Sequence, residues 1–261
     1  MGRLDDKVTI ITGAARGLGQ AIARSFAEEG AIVLCADILD ASETANSLPP
    51  SASGISATAL HLDVTSTPQV EKVINGVVTE RGRLDVLVNN AGVAPPILDL
   101  IDCPDDVFEK VFSVNVRGVL ACSRVAGHIM KDQGIGRIIN TASQAGKVGW
   151  PGLGVYSASK FAIVGMTQVM ALELAEHGVT VNAICPGTIL TEMTKTGFRE
   201  AAEQEGKESD ELIAEYAKGI PVGRLGTGQE VGVLAAFLAS DDAAFMTGAS
   251  VNITGGEQVF F

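Results

Sequence analysis

Tyr156 and Lys160 stand four positions apart, a spacing that puts both on one face of a helix. An ammonium beside a phenol favours the phenolate. Tyr156 is therefore a candidate general acid/base near neutral pH. Ser143 lies just past the apolar run Arg137 to Asn140. A hydroxyl there can hold a substrate oxygen where charge develops. Alone, a Tyr-x-x-x-Lys pair is also what an ordinary exposed helix face carries. Its weight depends on what else the chain contains.

Near the N-terminus, Val8-Thr9-Ile10-Ile11 runs into Thr12-Gly13-Ala14-Ala15-Arg16-Gly17-Leu18-Gly19, and a helical pattern follows. Gly13, Gly17 and Gly19 allow a tight turn and let backbone N–H groups approach a pyrophosphate. The helix N-terminus adds partial positive charge. The pattern Thr12 to Gly19 is therefore a candidate dinucleotide cradle. The second strand ends at Asp37. A carboxylate there accepts from adenosine ribose hydroxyls and repels a 2′-phosphate. Arg16 pulls the other way, because a cation in the loop can pair with that phosphate. The carboxylate outweighs it, since a phosphate against Asp37 leaves a charge unpaired. The expected cofactor is NAD, not NADP.

The elements that must position these groups alternate in type. Short, continuous apolar runs are Val8 to Ile11, Ile32 to Ala36, Val86 to Val88, Arg137 to Asn140, Val179 to Cys185 and Ser250 to Ile253. Between them lie longer helix-periodic segments, Gly17 to Glu29, Pro68 to Arg81, Pro104 to Lys131, Val155 to His177 and Gln229 to Ala239. Strands buried on both faces and separated by helices imply a parallel sheet covered on both sides. This predicts an α/β chain, a single-domain doubly wound Rossmann fold with a sheet of about seven strands. The polar stretch 191–219 breaks the alternation and reads as a helical excursion over the strand ends. Two readings stand for it, a mobile substrate lid or a rigid pair of surface helices.

The composition agrees with one large domain spanning residues 1–261. Of 261 residues, 46% are hydrophobic and 19% charged, which excludes disorder. The formal net charge of -12, with no Lys/Arg cluster, speaks against nucleic-acid or anionic-membrane partners. Cys35, Cys103, Cys122 and Cys185 form no C-x-x-C pair and read as buried thiols in a reducing compartment. His61, His128 and His177 lack ligand spacing, so no metal site is expected. Without an apolar signal core or membrane-length run, a cytoplasmic location is expected.

Taken together, the markers are similar to those of the short-chain dehydrogenase/reductase family, over nearly the whole chain from Lys7 to Gly256. They are Thr12-Gly-x-x-x-Gly-x-Gly19, Asp63-Val64, Asn89-Asn90-Ala91-Gly92, Asn115, Ser143, Tyr156-x-x-x-Lys160 and Pro186-Gly187, in the family's order. The resemblance implies that Tyr156 gives or takes the proton. It implies that Lys160 lowers the tyrosine pKa and binds the nicotinamide ribose, and that Ser143 orients the substrate oxygen. Asn115 would kink its helix and hold a relay water. Asp63 and Val64 would contact the adenine, and Asn90, Ala91 and Gly92 would wall the ribose. Pro186 to Thr191 would pass over the nicotinamide, with Ile189 and Thr191 at the carboxamide. Each also has a structural reading, such as Asn89 and Asn90 capping strand ends. A dinucleotide-sensing module without chemistry would lack Tyr156 or Lys160, and both are present.

The substrate is less legible. Ser143-Gln144-Ala145-Gly146 resembles the sugar-alcohol dehydrogenases of that family, and the C-terminal run resembles hexitol-phosphate dehydrogenases. Gln144 offers a donor and an acceptor, which suits a polyhydroxylated ligand, or it faces water. Trp150 is either a pocket wall or a subunit contact. Lys147, Lys195 and Arg199 are the cations that a substrate phosphate would need, though solvated surface charges fit them better. The expectation is a secondary alcohol, polyol or vicinal diol, and its ketone; acetoin-type and 3-hydroxyacyl substrates stay open. The second long helix pattern is apolar on more than one side, and the resemblance implies a homotetramer or dimer built on such helices. The tail Val259-Phe260-Phe261 is expected at an interface.

Overall fold

The computed structural model describes residues 2–259. Its strands are Val8–Thr12 (β1), Ile32–Asp37 (β2), Thr58–His61 (β3), Val86–Asn89 (β4), Gly136–Thr141 (β5), Val179–Pro186 (β6) and Ser250–Ile253 (β7). All pair in parallel, in the order β3-β2-β1-β4-β5-β6-β7. The chain thus leaves β1 outward in one direction and returns to build outward in the other. The order reverses between β1 and β4, and the crevice at their carboxyl ends is where this architecture receives ligands. The doubly wound expectation holds. The strand without a continuous apolar run is β3, which lies at the sheet edge with its residues half-buried or exposed.

The helices are Gly17–Glu28 (α1), Ser42–Ser47 (α2), Thr67–Arg81 (α3), Asp105–Phe112 (α4), Val119–Gln133 (α5), Gly154–Leu174 (α6), Glu192–Glu205 (α7), Ser209–Ala217 (α8) and Gly228–Ala239 (α9). Strand side chains alternate between the two faces. On one face Ile11, Val86 and Val88 pack with Ile22, Phe26, Val231 and Leu238 of α1 and α9. On the other, Ile10, Leu87 and Ile138 meet Ile74, Cys122 and Met130 of α3 and α5. Each apolar side chain buried this way contributes roughly 1.5–3 kcal/mol, so these two layers hold the strand ends in place. α9 begins with a complete capping box between Thr227 and Glu230. No helix among the described residues is long and apolar enough to cross a membrane.

One detail differs from the periodicity. The segment expected as one helix from Pro104 to Lys131 is α4 and α5 joined by a π-helical stretch, Ser113–Gly118. The excursion at 191–219 forms the two helices α7 and α8. None of the described residues of α8 is buried.

Candidate active site

The loop from β1 to α1 is shaped to receive an anion. Gly13 has φ +68°, and a Cβ there would come within 2.8 Å of the Ala91 Cα, so the loop lies directly against the end of β4. Thr12 and Asn90 fasten the two together. The Asn90 and Ala91 amides donate to Thr12 Oγ1 at 3.0 Å each, and Asn90 Nδ2 donates to the carbonyls of Thr12 and Gly13 at 3.1 and 3.2 Å. The start of α1, at Gly17, Leu18 and Gly19, has no side-chain cap and no acid in its first turn. α1 offers its N–H groups and dipole to the crevice. Arg16 is exposed beside it.

Asp37 closes this cradle at the end of β2. Its Oδ2 accepts from the Ala15 amide and its Oδ1 from the Leu39 amide, both at 2.9 Å. Each oxygen keeps a lone pair for a ribose hydroxyl. Asp63 holds its own turn, accepting from the Thr65 amide at 2.9 Å and hydroxyl at 2.7 Å. Val64 is buried against Gly118. These residues fit a dinucleotide: an uncapped helix start, an acidic strand end and a narrow glycine turn converge on one crevice.

Beyond the crevice lie the groups that could do chemistry. Tyr156 and Lys160 project from the first turns of α6, and the Lys160 ammonium lies 5.6 Å from the tyrosine ring centroid. Lys160 is buried and donates to the Thr141 carbonyl at 2.7 Å. Ser143 follows β5; its hydroxyl accepts from the Ala145 amide at 3.1 Å and is hydrogen-bonded to Tyr156. Asn115 is turned inward by the π-helical stretch. Its Oδ1 accepts from the Val93 amide at 2.8 Å, and its Nδ2 donates to the Val93 carbonyl at 3.0 Å and to Ser159 Oγ at 3.1 Å. The bonds to Val93 reach across to the loop after β4, so Asn115 joins that loop to α6. Gly92 leaves room between them: a Cβ there would lie 3.3 Å from Asn115 Oδ1 and 3.8 Å from Lys160 Nζ.

The electrostatics differ from the spacing argument. Spacing alone predicts that Lys160 lowers the Tyr156 pKa. In the folded chain burial pushes the phenol up, with the Ser143 hydrogen bond pulling the other way. Burial pushes Lys160 down to about 8 from an ordinary 10.5, against a smaller upward pull from Cys185. Burial thus disfavours the charged form of both groups, and the Ser143 hydrogen bond is what favours the phenolate.

Above the crevice, Pro186, Gly187, Thr188 and Ile189 lead from β6 into the helical excursion. The Ile189 side chain turns into the core against Gly226, leaving only its backbone for a ligand. Thr191 caps α7, accepting from the Thr194 amide at 3.3 Å. Gln144 is buried beside Ser143, and its Oε1 has no partner. Trp150, half-buried before α6, likewise has an unpartnered indole N–H. Lys147 is not free for a substrate phosphate, because its ammonium donates to the Ser250 carbonyl at 2.6 Å. Lys195 pairs with Glu192 at 2.9 Å. Lys195 and Arg199 do line a cavity of about 310 Å³ with Leu190 and Ile213, but Asp210 shares it. Of the aromatic tail, Val259 is exposed, and Phe260 and Phe261 lie outside the described residues.

Thr12, named in the sequence pattern, is the peg of the glycine loop. Sequence reasoning missed two further supports. The Thr141 carbonyl anchors Lys160, and a backbone carbonyl carries no residue-type signal. Glu257 receives Thr188 and Tyr216, from far away in the chain.

Comparison with known proteins places this geometry. A family model described as enoyl-(acyl carrier protein) reductase matches residues 13–258. A galactitol 2-dehydrogenase of Agrobacterium fabrum is 40% identical, over 97% of this chain and 98% of its own. A meso-2,3-butanediol dehydrogenase of Serratia marcescens is 39% identical, over 97% and 95%. An NAD-dependent glycerol dehydrogenase of Listeria innocua is 38% identical, over 97% and 94%. Among solved structures, a levodione reductase superposes with a TM-score of 0.91 at 31% identity, covering 97% of this chain and 98% of that one.

Proposed function

Because this chain belongs to the short-chain dehydrogenase/reductase family, we propose that it is an NAD-dependent oxidoreductase that interconverts a secondary alcohol, a polyol or vicinal diol, and its ketone. The observation that carries this reading is the meeting of Ser143, Tyr156, Lys160 and Asn115 beside an uncapped helix start at the sheet's switch point. Bound NAD supplies the hydride acceptor. Tyr156 takes the hydroxyl proton as the carbinol carbon gives up its hydride, and returns it in the reverse direction. Ser143 steadies the oxygen on which charge develops. Lys160 and Asn115 keep Tyr156 and the loop after β4 in register. Gly13, Arg16, Gly17, Leu18 and Gly19 hold the pyrophosphate, while Asp63, Val64, Asn90, Ala91 and Gly92 line the adenosine side. Pro186, Gly187, Ile189 and Thr191 roof the nicotinamide.

NAD over NADP rests on Asp37, and the name of the Listeria relative points the same way. The polyol or diol preference rests on Gln144. A buried amide oxygen without a partner costs free energy unless a ligand donates to it, and a second substrate hydroxyl next to the reacting one does so. Trp150, with its unpartnered indole N–H, serves as a wall of the substrate pocket, with α7 and α8 as the lid. Exposed Leu120, Phe161, Val169 and Leu172 on α5 and α6 support self-association through these helices, as a homotetramer or dimer. Light scattering checks this, and a monomer at micromolar concentration would refute it.

The test is NADH formation across polyols, phosphorylated polyols, diols and simple secondary alcohols, with Tyr156→Phe beside the wild type. Turnover of polyols or diols, lost in the variant, supports the reading. NAD binding with no turnover of any alcohol would instead favour a dinucleotide-sensing module.

A further inference from the structure

The tail, the roof loop and the lid meet on one carboxylate that the proposed chemistry does not use. Glu257 Oε2 accepts from the Thr188 amide at 2.9 Å. Its Oε1 accepts from the Thr188 hydroxyl at 3.0 Å and from the Tyr216 phenol at 2.5 Å. The two hydroxyls lie 3.0 Å apart. Tyr216 belongs to α8 and carries the contact into α7 through an edge-to-face pair with Phe198, ring centroids 5.5 Å apart. The tail itself is seated against the roof. The Gly187 amide donates to the Ile253 carbonyl and the Glu257 amide to the Thr254 carbonyl, both at 3.0 Å. A Cβ at Gly187 would come within 2.9 Å of Glu257 Oε2, so glycine makes room for the carboxylate.

α8 has little else to hold it. Among the described residues it has no buried side chain, so apolar packing secures it weakly. Hydrogen bonds to an ionised carboxylate are stronger than neutral ones. Burial and the neighbouring carboxylate push the Tyr216 phenol up to about 12, so it stays a donor at working pH.

We infer that Glu257 is a positioning residue that latches the lid to the roof loop, so that the lid opens to release the dinucleotide only when its bonds to Thr188 and Tyr216 break. The inference rests on the reading of residues 186–191 as the roof of the nicotinamide site. Opening then becomes easier when either partner is removed, while the hydride step itself is untouched.

The experiment uses the full chain with Glu257→Gln, Tyr216→Phe and the double variant. Two rates are read: NADH dissociation by stopped-flow displacement, and trypsin cleavage at Lys195, Arg199, Lys207 and Lys218 in the cofactor-free protein. Each single variant is expected to speed both by roughly tenfold to a hundredfold, the loss of one charge-assisted hydrogen bond, with the double variant adding little. Single-turnover hydride transfer stays at the wild-type rate. Dissociation and cleavage rates within about twofold of wild type overturn the latch, as does full additivity in the double variant. A wild-type protein that failed to bind NADH would sink the functional reading, and the trypsin rates would still decide for or against the latch.

Discussion

Lys160→Met is expected to abolish activity and yet to stabilise the protein at neutral pH. The lysine is buried, and its pKa lies at about 8 in place of 10.5. That gap corresponds to about 3 kcal/mol of disfavoured charge at pH 7. A methionine fills a similar volume without the charge but leaves the Thr141 carbonyl without its donor, a loss of about 1–2 kcal/mol. The net gain is about 1–2 kcal/mol, or roughly 2–6 °C in Tm for a chain of this size. The sign depends on pH. Below pH 8 both folded and unfolded lysine are charged, and the cost is full. Between about 8 and 10.5 the folded lysine releases its proton while the unfolded one keeps it, so wild-type stability rises with pH. Above 10.5 the cost is gone and only the hydrogen bond remains, so the variant becomes the less stable protein. Thermal unfolding of both proteins from pH 7 to pH 10.5 checks this. A variant that is less stable at pH 7, with a deficit independent of pH, refutes a desolvated lysine.

Other outcomes follow from the same geometry. Asp37→Ala should raise the kcat/KM for NADP relative to NAD by at least tenfold, and an unchanged ratio would remove Asp37 from cofactor selection. Burial keeps the Tyr156 phenol protonated at neutral pH, so alcohol oxidation, which needs the phenolate, should rise with pH from 7 to 9 while ketone reduction should not. A flat oxidation profile would point to another base. Tyr156→Phe should lower hydride transfer on the order of 10²- to 10⁴-fold with NADH affinity unchanged; a comparable loss of affinity would make it a binding residue. Thr227→Ala removes the α9 capping box and should cost about 1 kcal/mol in denaturant unfolding, with kcat unaffected.

The residues whose work is local were readable in the chain. The run Val8 to Ile11 announces a strand buried on both faces, and the glycines after it announce a turn into a helix. Tyr156 and Lys160 share a helix face because helical geometry puts positions four apart together. By contrast β3 lies at an edge, where burial no longer demands an apolar run, so no such run marks Thr58-Ala59-Leu60-His61 in the sequence. The π-helical stretch at Ser113–Gly118 follows the helical pattern and still redirects Asn115.

What the sequence by itself determined is the set of reactive groups and the strand-and-helix alternation that carries them, because both are encoded in residue type and short-range spacing. Only the tertiary structure decided how those groups behave. The Lys160 pKa is lowered by burial, against a smaller upward pull from Cys185 of β6. Lys147 is spent on the backbone of β7, and Ile189 is turned into the core. Glu257 reaches Thr188 across a sequence separation of 69 residues. Contacts at that range depend on how the layers pack, and no pattern along the chain records them.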